Sequence, residues 1–126
     1  MCSFYQHPFY PEGGARSQAS NLCNIPVPAY TTGADVRKLV QRDWLPRLHA
    51  YAPELIFISA GFDAHREDDM GQLGLVEADY AWITAQLMDV ARLHAQGRVV
   101  SCLEGGYHLS ALGRSVEAHL RVLAQV

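Results

Sequence analysis

The sequence predicts an α/β fold of three layers, with helices on both faces of a central parallel sheet. Leu55–Ala60 and Val99–Leu103 are continuous apolar runs of strand length. Continuous rather than alternating hydrophobicity marks strands covered on both faces. Between them, Glu77–His94 carries apolar residues at helical spacing, and a strand–helix–strand order calls for parallel pairing.

The elements follow in chain order. Met1–Tyr5 is short and apolar and reads as a strand. Residues 7–20 hold Pro8, Pro11, Gly13 and Gly14 and read as a loop. Asn24–Pro28 is extended, because the residue before each proline is pushed out of the helical region. Asp35 is the expected N-cap of a helix with Val36, Leu39, Val40, Trp44, Leu45 and Leu48 on one face, ended by Pro53. Gly61 ends the first core strand, and residues 62–75 form an acidic, glycine-containing loop. In the next helix Tyr80, Ile83, Leu87, Val90, Ala91 and His94 share a face, and Gly97 is the stop signal. Ser110 is the expected cap of a last helix to Val126, with Leu112, Val116, Leu120 and Leu123 facing inward.

With 126 residues, residues 1–126 read as one domain. Hydrophobic residues make up 49 % and charged residues 18 %, a globular rather than a disordered profile. A net charge of -3 supplies no overall basic field, so no direct nucleic-acid binding is expected. Cys2, Cys23 and Cys102 are odd in number and widely spaced, as expected for reduced thiols and a cytoplasmic location. No signal peptide or membrane-spanning run is evident.

In parallel sheets, ligands sit beyond the carboxyl ends of the strands. Two loops occupy such positions and should open on the same edge. Asp63 follows the first core strand; it is either a carboxylate ligand for a divalent metal or the cap of a turn after Gly61. Tyr107 follows the second, behind Gly105 and Gly106. It is either a phenol placed to donate to a developing oxyanion or a side chain packed on the sheet edge. Of six histidines, His65 and His108 lie beside these loops, whereas His49 and His119 read as surface residues on helices. Glu67-Asp68-Asp69 reads as a solvated acidic run, and Cys102 as a small apolar residue in a buried strand.

The strings SAGFDAHREDDMGQLGLVEADYAWIT and VVSCLEGGYHLSAL, with SFYQHPFYPEGG and NIPVP earlier, resemble the histone deacetylase family, in its class II and bacterial amidohydrolase-like branch. The resemblance spans nearly the whole chain and points to the C-terminal portion of the catalytic domain. It implies a partial arginase/deacetylase-like fold and zinc-dependent hydrolysis of acetyl-lysine or related acetylated amines. By motif, Asp63 corresponds to a zinc (Zn2+) ligand and Tyr107 to the tyrosine that polarises the scissile carbonyl. Gly105 and Gly106 correspond to glycines of the substrate tunnel and Tyr10 to an aromatic of its wall. Ser3 and Phe4 correspond to residues that give oxygens to a potassium (K+) site.

The family's paired histidines and its Asp-x-His ligand motif have no counterpart here; Asp63-Ala64-His65 is the family's third-ligand motif, and His65 is not taken as a ligand. The chain alone is therefore expected to be inactive, and its start within a central strand favours a truncated enzyme. Two other readings stand beside this one: a non-catalytic module that self-associates through an unpaired sheet edge, and an unrelated doubly wound domain. The substrate, if there is one, is an acetylated lysine or amine.

Overall fold

A computed structural model describes residues 1–10 and 19–126. Residues 11–18 of the expected loop, with Pro11, Gly13 and Gly14, lie outside the described residues. Strands β1 (Cys2–Gln6) and β2 (Cys23–Val27) pair in parallel, with Cys2 opposite Cys23 and Gln6 opposite Val27. A helical run follows as α1 (Gly33–Leu39), a π segment (Val40–Trp44) and α2 (Leu45–Tyr51). Strand β3 (Ile56–Ala60), α3 (Glu77–His94), β4 (Val99–Leu103) and α4 (Leu109–Ala124) complete the chain. β3 and β4 pair in parallel from Ile56↔Val99 to Ala60↔Leu103, so both strand tips end on one edge, as the sequence predicts.

The first helical run begins earlier than expected. Thr32, not Asp35, is the N-cap, and Asp35 sits at the third helical position in a reciprocal capping box. The π segment marks where Pro46 enters. Proline has no N–H to give to the carbonyl four residues back and its ring crowds that carbonyl, so a widened turn accommodates it; Leu45 N–H reaches Val40 O. In α3 the stop works as predicted: Gly97 lies at φ 75° and its N–H bonds Ala91 O at 2.9 Å. α4 is capped by His108 rather than Ser110, the His108 side chain accepting from Ala111 N–H at 3.2 Å.

The core lies between the strands and the helices. Val36, Val40, Leu75 and Ala91 are fully inaccessible. α3 and α4 cover one face of the β3–β4 pair: Val90 and Ala91 cluster with Ile56, while His119 bonds Ser101. The opposite face is open among the described residues, with Phe57 63 % and Val100 43 % exposed and Cys102 exposed as well. The strand sequences anticipate cover on both faces, but the described residues supply it on one only. Cys102 is therefore not the buried residue expected.

His119 is also misplaced by the sequence. It is 5 % exposed, not on the surface, whereas Leu120, expected inward, is 53 % exposed. The inward stripe of α4 is Ala111, Ser115 and His119, at a spacing of four. Thr84 Oγ1 donates to Tyr80 O at 2.7 Å, so toward His119 Nδ1, also at 2.7 Å, it accepts. Nδ1 thus carries the imidazole proton, and Nε2 accepts from Ser101 Oγ at 2.9 Å. Burial lowers the His119 pKa from its ordinary 6.5. A neutral form favoured in the fold means that the unfolded chain binds more protons below pH 6.5. Stability is thus full above that pH and falls as pH drops from it toward the lower folded value. The expected result is a urea midpoint that declines from pH 7 to pH 5, with a shallower decline in His119→Gln; equal slopes would refute this.

Candidate active site

The candidate site is built where β3 and β4 end. Phe62 N–H donates to Gly105 O at 2.8 Å and Glu104 N–H to Ala60 O at 2.9 Å, so the two loops leave the sheet side by side. Asp63 is held in the gap between them. A β-carbon on Gly105 would lie 2.9 Å from Asp63 Oδ2, and one on Gly61 3.2 Å from Oδ1. Only a glycine at 105 lets the backbone of the second loop lie against this carboxylate without displacing it. Gly106 has φ 136°, a region L-residues avoid, and a β-carbon there would meet Leu112 Cδ1 at 2.7 Å.

The surroundings of Asp63 disfavour its charged form. Its side chain is solvent-exposed on one side, yet desolvation by the packed side raises its pKa. The negative charges of Asp68 and Glu104 add to this, against a lowering by its own backbone N–H. Asp63 fits as one oxygen ligand, because a cation there would favour its charged form. Among the described residues, no group of three His, Cys, Asp or Glu side chains is placed to hold a metal ion, whereas a catalytic zinc uses three protein ligands.

Tyr107 is 58 % exposed, so its ring is not packed on the sheet edge. Its position is imposed through the backbone. Asp68 Oδ2 accepts Tyr107 N–H at 2.6 Å and His108 N–H at 3.1 Å, while Oδ1 accepts Met70 N–H at 3.0 Å. Asp68 is 5 % exposed, which overturns its reading as part of a solvated run. Burial works to raise its pKa, and the three backbone donors overcome this and leave the carboxyl below its ordinary value. One local signal was available: an Asp bonding the N–H two residues on is an Asx-turn. The bond to Tyr107, across 39 residues, was not legible locally.

Glu67 and Glu77 are bridged by Arg114, at 2.8 and 2.5 Å, and the Glu77 carboxyl is held down to about 2, chiefly by that hydrogen bond. His65 is 1 % exposed, stacked on Tyr80, with Nδ1 accepting Glu67 N–H. It faces the core rather than the loop tips. Tyr80 donates its O–H to Phe62 O at 3.0 Å, and its phenol is held un-ionised, by burial first. Tyr107 is thus the one tyrosine of the pair with a free-facing ring.

The remaining candidates lie apart from the tips. Tyr10 is 87 % exposed, next to the undescribed residues. Ser3 and Phe4 lie within β1, where Ser3 Oγ donates to Asn24 Oδ1 at 2.8 Å and Phe4 packs on Trp44, ring centres 5.8 Å apart. No helix among the described residues is long and apolar enough to cross a membrane.

Comparison with known proteins joins these observations. The Histone deacetylase domain model matches residues 1–123. "Uncharacterized protein slr0245" of Synechocystis is 37 % identical over 97 % of this chain, which spans 40 % of that protein. "Type-2 histone deacetylase 2" of Dictyostelium discoideum is 41 % identical over 83 % of this chain and 6 % of its own length. The solved HDA15 HD domain superposes with a TM-score of 0.88 at 30 % identity, over 98 % of this chain and 37 % of that one. The chain therefore spans less than half the length of each of these relatives.

Proposed function

Because this chain belongs to the histone deacetylase domain family, we propose that it forms one wall of a zinc-dependent site that hydrolyses acetyl-lysine or a related acetylated amine. The observation that carries the reading is Asp63: a carboxylate wedged against Gly105, at the strand tips that also bear Tyr107. A bound zinc ion would polarise the scissile carbonyl and lower the pKa of water. Asp63 would be one of its ligands. Tyr107 would donate its O–H to the oxygen on which negative charge develops. Gly105 and Gly106, lacking side chains, would leave room for an extended acyl-amine chain. Tyr10 would give that channel an aromatic wall, and oxygens of Ser3 and Phe4 would serve a potassium ion.

The sequence contains no adjacent histidine pair and no Asp-x-His other than residues 63–65. A proton acceptor for the attacking water and two further zinc ligands must then come from another polypeptide segment, and these 126 residues alone should not turn over. Three free cysteines fit a reducing, cytoplasmic setting.

The test grafts residues 1–126 in place of the segment they superpose on in the HDA15 HD domain and follows a fluorogenic acetyl-lysine peptide. The reading expects chelator-sensitive turnover by the graft and none by the isolated chain. A silent graft beside an active parent domain would refute the reading; turnover by the isolated chain would refute the missing-ligand claim.

A second role has its own support. β1–β2 and β3–β4 are each two-stranded among the described residues, and residues of β1, β2 and β3 line an apolar cavity of about 530 Å³. Met1, Phe4, Leu48, Ile56 and Ile58 line it. Unpaired edges beside apolar surface favour association, so the isolated chain should scatter light as a dimer or larger at micromolar concentration. A monomer across that range would remove this role.

A further inference from the structure

Resting on the assignment of Tyr107 as the oxyanion donor, we propose that Asp68 is a positioning residue that sets the place of Tyr107 by clamping the two strand-tip loops together. Its carboxylate is 5 % exposed and lies on the β3 loop, yet two of the three backbone N–H groups it accepts belong to the β4 loop. The clamped residues are Tyr107 itself and His108, the N-cap of α4. One oxygen, Oδ2, takes both of these donors, and Oδ1 takes Met70 N–H, which holds the carboxylate at a fixed angle. Ionised acceptors make hydrogen bonds roughly twice as strong as neutral ones. The exposed Tyr107 ring has little packing to restrain it, so the backbone bond is the restraint that transmits position to the phenol.

The surface network does not substitute for this clamp. Arg114 joins Glu67 to Glu77 and Ser110, and Glu67 lies 4.0 Å from His108 Nδ1, but these side chains are exposed or half-buried and none bonds the Tyr107 backbone. Exposed pairs of this kind hold little free energy in water.

Asp68→Asn is the discriminating variant. An amide offers one accepting oxygen, so either the Tyr107/His108 pair or Met70 must face an N–H instead. In the intact chain, amide hydrogen exchange at Tyr107 and His108 should accelerate at least about tenfold, with α3 amides unchanged. In the HDA15 graft, kcat should fall roughly ten- to a hundredfold with KM nearly constant, as for a displaced catalytic group. Val90→Ala, a core truncation in α3 away from both loops, is the control for mere destabilisation and should leave kcat in place. Unchanged exchange at Tyr107 and His108 would overturn the proposal, as would a kcat loss that Val90→Ala reproduces. If Tyr107→Phe leaves turnover intact, the assignment of Tyr107 fails instead, while the exchange measurement still judges the clamp.

Discussion

Tyr107→Phe should lower kcat of the HDA15 graft by on the order of 10²–10³ while leaving its zinc affinity and melting temperature unchanged. The substitution removes one oxygen from a ring that is 58 % exposed, so little packing is lost. Its backbone stays bonded to Asp68 at 2.6 Å, so the loop keeps its place. In the proposed role, what disappears is a donor to charge that exists only as the reaction proceeds, and such a loss appears in kcat rather than KM. Tyr80→Phe is the informative contrast. That hydroxyl bonds Phe62 O in the core, so its removal should cost about 1 kcal/mol of stability and leave kcat alone. Equal turnover by wild type and Tyr107→Phe would end the assigned role.

Leu75→Ala should have the largest effect on folding. Leu75 is 0 % exposed and leads the fully buried side chains in size. Its N–H donates to Ala64 O at 3.1 Å and its carbonyl accepts Arg66 N–H at 2.9 Å, so it anchors the return of the Asp63 loop to the core. Truncating a buried leucine costs about 2–5 kcal/mol, from lost transfer energy and the cavity left behind. Domains of this size are stable by only about 5–15 kcal/mol, and this one has an open sheet face. Urea denaturation followed by Trp44 and Trp82 fluorescence should show the unfolding free energy lowered by that amount, as a lower midpoint with the slope unchanged. A loss below about 1 kcal/mol would mean that the site collapses around the missing atoms and that the loop is held by its backbone bonds.

Much of the fold was legible locally. Glu77–His94 and Val99–Leu103 coincide with the observed α3 and β4, because a long periodic segment and a short apolar run admit few alternatives. The boundaries that moved did so for local reasons. Thr32 outcompeted Asp35 as a cap by using Asp35 as its box partner, and Pro46 forced a π segment that periodicity does not register. The candidate site was half legible. Asp63, Gly105, Gly106 and Tyr107 follow strand ends, and strand ends can be read from the chain. Asp68 and His119 were misread, one as solvated and the other as surface, because burial of a polar residue depends on partners 35 or more residues away.

The sequence by itself determined the parallel α/β character, the side of the sheet on which the loops emerge, and the identity of the carboxylate and phenol at the tips. These follow from hydrophobic period, glycine position and strand direction, all short-range properties of the chain. Tertiary structure alone decided that Asp63 lies against Gly105 near two further carboxylates, that Asp68 clamps the Tyr107 backbone, and that His119 joins Thr84 to Ser101. It also decided that, among the described residues, one face of β3–β4 is uncovered. Each of those outcomes depends on which distant polar group arrives to satisfy a buried one, and a buried carboxylate or imidazole is tolerated only where such a partner arrives.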